Sequence, residues 1–115
     1  MQTPLQISFH QMAPSPDLDT EVRRWIEELE ALFDRIVSCH VVIEAPHRQH
    51  QGGLFAVRVE LGVPGEKIVG GRSPAEHAAH ADAHVAVRDA FRAVRRQLEA
   101  HIRRARGDVK SHAAR

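Results

Sequence analysis

Residues 55–72, FAVRVELGVPGEKIVGGR, read as two strands joined by a turn. Phe55, Val57, Val59 and Leu61 alternate with Arg58 and Glu60. A period of two puts one side of a strand in a core and the other in water. Val63-Pro64-Gly65-Glu66 has proline second and glycine third, the pattern of a type II turn, in which the third residue needs a positive φ. Lys67 to Arg72 then returns as a short antiparallel strand, which Gly70 and Gly71 weaken or mark as a bulge or edge.

Working outward, Cys39, Val41 and Ile43 alternate with His40, Val42 and Glu44, and Pro46 ends that strand. The polar loop His47 to Gly53 carries it into the next, so the three strands form an antiparallel meander. Further upstream, Val22, Ile26, Leu29 and Phe33 recur at helical spacing, with Trp25 and Leu32 widening the stripe. Asp17 or Asp19 is placed to cap this helix. Before it, Leu5, Ile7 and Phe9 alternate as a strand that Pro14 and Pro16 terminate.

Downstream, no proline or glycine occurs from Glu76 to Arg106, and Val87, Phe91, Val94, Leu98 and Ile102 form a helical stripe starting at about Glu76 or Asp82. Gly107 is a natural stop. A helix of about 24 residues is about 36 Å long, more than the width of a four-stranded sheet, so its end should project. The order is β-α-β-β-β-α, an α+β fold. It forms one domain over residues 1–106, with residues 107–115 as a flexible basic tail.

The chain has 115 residues, with 43% hydrophobic and 27% charged, the proportions of a globular domain with a core of its own. No apolar run approaches the ~20 residues of a membrane span, and MQTPLQISFHQM lacks the basic and apolar regions of a secretory signal. The single Cys39 excludes an internal disulfide and any multi-cysteine zinc site. A cytoplasmic setting fits.

The formal charge of +1 argues at first against a nucleic-acid partner. Placed along the chain, the charges separate. Residues 17–36 hold Asp17, Asp19, Glu21, Glu27, Glu28, Glu30 and Asp34 against Arg23, Arg24 and Arg35. Residues 83–115 hold Arg88, Arg92, Arg95, Arg96, Arg103, Arg104, Arg106, Lys110 and Arg115 against Asp89, Glu99 and Asp108. A basic last helix on an otherwise acidic domain points that end toward a polyanion.

Leu29-Glu30, Phe33-Asp34-Arg35-Ile36, the Cys39–Glu44 strand, Asp82 at the helix start and Arg96-Gln97-Leu98 stand in an order and spacing that resemble the ribosome hibernation-promoting factors. These are also called the ribosome-associated inhibitor or sigma-54 modulation family, and the resemblance covers roughly residues 4–105. It implies a four-stranded sheet with both helices on one face, laid out like a double-stranded RNA-binding domain. It also implies binding to the small ribosomal subunit where messenger and transfer RNA sit, silencing idle ribosomes in stationary phase or stress, with no catalysis and no cofactor. The chain looks like the short form, a monomer without the C-terminal dimerisation domain of longer members. Where relatives commonly carry lysines this chain has Glu28, Ala93 and Ala100, and the aromatic residue of the helix start appears as His84. By motif, only Arg96 falls on a basic position of the family.

Ribosomal RNA is recognised mainly through shape and backbone, so a plugging protein needs fixed cations. The candidate rRNA-binding residues are Arg88, Arg92, Arg95, Arg96, Arg103 and Arg104, with Arg106 and Lys110 in the tail, and the acidic first helix should point away from the RNA. A rival is metal binding by His77, His80 and His84, which share a face if the helix starts at Glu76 and lose it if Asp82 is the cap. An enzyme is disfavoured: Cys39 sits at a core phase, His40 beside it points to the opposite face, and neither Gly52-Gly53 nor Gly70-Gly71 has the context of a phosphate loop. Trp25 is most simply core, leaving few aromatics to stack bases. The alternative of another class is a double-stranded-RNA-binding or protein-interaction module on the same scaffold, not acting on ribosomes. The sheet face bearing His40, Val42, Arg58 and Glu60 could serve such a partner.

Overall fold

The alternating segments become strands, as their period requires. The computed structural model describes residues 1–46, 54–71, 79–80 and 82–113. Its elements are β1 (Gln6–His10), α1 (Pro16–Leu32), β2 (Ser38–Glu44), β3 (Phe55–Val63), β4 (Glu66–Gly70), β5 (Ala79–His80) and α2 (Ala83–Ala113). The order β1-β2-β3-β4 across the sheet is the α+β arrangement expected. β2, β3 and β4 form the antiparallel meander, while β1 lies parallel to β2 with Ile7 opposite Val41 and Phe9 opposite Ile43. The parallel pair follows from α1, which carries the chain back to the starting edge between the two strands.

The expected turn is present, with Gly65 at φ 89°. The short β5 is an addition. It pairs with the start of β3, Phe55 opposite His80, on the side where β4 pairs further along. The polar loop at 47–53, Arg72 and His77 lie outside the described residues.

Cys39, Val41 and Ile43 of β2, Val57, Val59 and Leu61 of β3, and Ile68 of β4 are buried under the helices. From α1 come Leu18, Val22, Ile26 and Leu29, and from α2 Val87, Phe91, Val94 and Leu98. Burial pushes the Cys39 thiol up to about 12, with the Glu30 carboxylate adding to it, so the sulfur is a core atom rather than a nucleophile. The opposite sheet face carries His40, Val42, Arg58 and Glu60, where Ser8 Oγ lies 3.0 Å from His40 Nε2 and Arg58 pairs with Glu60 at 3.0 Å.

Three local expectations are corrected. Ser15, not Asp17 or Asp19, caps α1: its hydroxyl accepts from the Leu18 N–H at 3.3 Å, with Pro16 starting the helix and the two aspartates in its first turn. Proline suits that position because its missing N–H would have no helical partner. Leu32 is exposed, and Phe33 is the C-cap of α1. Helix α2 does not stop at Gly107 but runs to Ala113. A glycine stops a helix by taking a positive φ, as Gly65 and Gly71 do outside helices, and Gly107 does not take one.

Candidate nucleic-acid interface

Asp82 begins α2. Its Oδ1 accepts from the His84 N–H at 2.8 Å and its carbonyl from the Ala86 N–H at 3.0 Å. The helix start at Ala83 leaves His80 in β5 and His84 in the first turn, so the shared helical face imagined for a metal does not form. Among the described residues no three metal-ligating side chains converge. His84 instead bonds through Nδ1 to Glu21 of α1, and that carboxylate, helped by Asp82 and Asp17, raises its pKa above the ordinary imidazole value.

On a helix turning about 100° per residue, Arg88, Arg92, Arg95, Arg96, Arg103 and Arg106 fall within an arc of about 100°, opposite the buried stripe. All six are exposed. Arg88 reaches Asp89 at 3.3 Å and Arg95 reaches Glu99 at 3.6 Å, loose surface pairs that a phosphate can displace at little cost. Arg92, Arg96, Arg103 and Arg106 make no ion pair among the described residues. Lys110 falls within the last turns of the same helix.

Arg104 is set apart. It lies on the other flank of α2, where Nη2 meets Glu66 Oε2 of β4 at 2.6 Å. His101 bonds the same carboxylate through Nδ1, and these contacts, His101 first, hold Glu66 below the usual carboxylate range. The sequence counted Arg104 with the RNA-binding arginines; the structure pairs it with the sheet.

Helix α1 lies beside α2 on the same face of the sheet. The Trp25 and Phe91 rings stack with centroids 5.6 Å apart, and Phe33 meets His101 edge-on at 5.7 Å. With Glu21 at His84, Trp25 at Phe91 and Phe33 at His101, the two helices run parallel. The acidic helix therefore does not simply face away from the arginines. Glu27, two residues beyond Trp25, is on the far flank, but Glu21 and Glu28 border the row.

Between the helices a cleft of about 390 Å³ is lined by Glu21, Arg24, Trp25 and Glu28 from α1 and by His84, Val85 and Arg88 from α2. Trp25 is thus only half core. Arg24, Trp25 and Glu28 are the residues that the sequence did not bring forward as a site. Their signals were the spacing of four between Arg24 and Glu28 beside an aromatic, and the acidic Glu28 at a position where relatives commonly carry lysine.

A family model described as sigma 54 modulation protein / S30EA ribosomal protein matches residues 5–106. A solved structure of a ribosomal subunit interface protein from Coxiella burnetii is similar in fold, with a TM-score of 0.69 at 16% identity, covering 84% of this chain and 94% of that one. No curated protein matches this chain in sequence.

Proposed function

The chain belongs to the sigma 54 modulation protein / S30EA ribosomal protein family, and we propose that it docks on the small ribosomal subunit through the arginine row of α2 and silences idle ribosomes in stress or stationary phase. The observation that carries this is the row itself: Arg92, Arg96, Arg103 and Arg106, exposed and without ion pairs among the described residues, on one side of a single helix. From the first to the last of them the helix rises about 21 Å, so the guanidinium groups are held at fixed spacing. Each can grip a phosphate bidentately, and no ordering cost falls on the helix at the moment of binding. Silencing then needs only occupancy of the channel that messenger and transfer RNA use, without catalysis or a cofactor. The solved protein of similar fold is described as a ribosomal subunit interface protein, which is in keeping with a ribosomal partner.

Co-sedimentation with small subunits over a salt series tests it. Binding should weaken steeply with salt, and Arg92, Arg96 and Arg103 changed together to Glu should abolish pelleting at moderate salt. If those three arginines each hold a phosphate, changing them together to Gln, which only neutralises them, removes roughly 2–3 from the salt slope. Arg104→Glu should leave the slope nearly unchanged, because that guanidinium already belongs to Glu66. Pelleting of the triple variant like the unaltered protein would defeat the proposal. Loss of ribosome binding with full retention on plain duplex RNA would point to a general RNA-binding module.

A further inference from the structure

A grip on phosphates accounts for the arginines of this face but not for the carboxylates beside them. Glu21 is engaged by His84, whereas Glu28 is exposed and makes no ion pair among the described residues. A carboxylate bordering a phosphate-binding row is repelled by the backbone it faces, unless the ligand also brings hydrogen-bond donors. In RNA, the donors on offer are the 2′-hydroxyls and the N–H groups of base edges, and only an unpaired base edge presents two N–H donors side by side to a carboxylate.

The cleft supplies the other partners of such a base. Arg24 stands one helical turn before Glu28, so a donor fork and an acceptor carboxylate sit side by side on α1. Arg88 faces them from α2. Trp25 forms an aromatic wall, fixed in place by its stack on the buried Phe91.

We propose that this cleft takes one unstacked guanine from RNA held by the arginine row, an inference that rests on the RNA-binding reading above. The Glu28 carboxylate accepts from N1–H and the N2 amino group, Arg24 or Arg88 donates to O6 and N7, and the base lies against the Trp25 indole. Guanine alone among the four bases offers two adjacent N–H donors to a carboxylate together with the O6 and N7 acceptors that arginine favours. Stacking adds affinity without selecting a base, so the choice of guanine falls to the Glu28 and arginine contacts.

Trp25 is the one tryptophan and the chain has no tyrosine, so its emission reports on the cleft. Three RNA hairpins are compared, identical except for a loop position that is guanine, inosine or abasic. Binding is read by anisotropy of a terminal label, and cleft occupancy by Trp25 emission with unlabelled RNA. All three should bind; the guanine hairpin should quench Trp25 and the abasic one should not. Glu28→Gln, a surface change that leaves the core untouched, should weaken the guanine hairpin about tenfold and the abasic hairpin not at all. Inosine, lacking the N2 amino group, should fall between them. Guanine binding with unchanged Trp25 emission, or Glu28→Gln without effect, overturns the cleft assignment and leaves the arginine row standing. Anisotropy unchanged by any hairpin overturns both the RNA-binding reading and the cleft.

Discussion

A side chain added at Gly70 would run into the Ala90 carbonyl oxygen of α2 and lie 2.7 Å from Val94 Cγ2. β4 is the edge strand of the described sheet, as its glycines suggested, yet Gly70 is not a weak point of it. It is where the helix comes down on the sheet, and backbone against backbone leaves no flexible group to yield. Gly70→Ala should cost about 1–3 kcal/mol of unfolding free energy, read by denaturant melts, as overpacking does in other cores. A cost close to zero would mean that α2 can lift from β4. One residue earlier, the Val69 carbonyl accepts from the Gln97 side-chain amide at 2.7 Å, a second tie between the same two elements.

At the scale of elements, α2 is clamped at both ends of its packed length by histidine and glutamate, His84 to Glu21 of α1 and His101 to Glu66 of β4. The two clamps respond to pH in opposite senses. The pKa of His84 is raised above 6.5 in the folded chain, so its contribution is complete below that value and is lost as pH rises through the folded pKa. The pKa of Glu66 is lowered from 4.5, so its contribution is complete above that value and is lost as pH falls through the folded pKa. Both groups are largely solvent-screened, so the effects are small ones. The thermal midpoint should peak in the mildly acid window between the two ranges and decline on either side. Glu21→Gln should flatten the alkaline limb, and Glu66→Gln the acid one. A midpoint that rises steadily from pH 5 to pH 9 would contradict the first clamp.

Over the whole molecule, extents of 58 × 27 × 17 Å describe a slab with a helix reaching beyond it, because α2 outruns the sheet that buries its first half. The far end of that helix is wet on all sides by Arg103, Arg104, Ala105 and Arg106 and carries the cations outward. Net charge governs long-range attraction to RNA, while the row governs the contact. Glu27→Gln with Asp34→Asn, both exposed and outside the cleft, raises the formal charge from +1 to +3. That variant should associate with ribosomes several-fold faster at low ionic strength and at the same rate near 0.15 M salt, where the screening length is about 8 Å. Rapid-mixing kinetics at the two ionic strengths distinguish this from a general gain in affinity.

Periodicity and turn chemistry in the sequence determined the two helices and the four main strands in their order, most of the apolar face of each, the turn at Gly65 and the separation of charge between the first helix and the last, but not the short β5. These are legible because each depends on neighbours within a turn or two of chain: alternation marks a strand, a stripe at 3.6 residues a helix, and glycine after proline a type II turn. Only the tertiary structure decided that β1 joins β2 in parallel, that Gly70 is a contact point rather than a flaw, that Arg104 is claimed by Glu66, and that Trp25 and Glu28 share a cleft with Arg88. Arg104 and Glu66 are 38 residues apart, and His84 and Glu21 are 63 apart. Pairings at such separations are set by how the sheet brings two helices side by side, which no local pattern records. The sequence supplied the cations; the packing of α2 against β4 and α1 chose which of them face outward together.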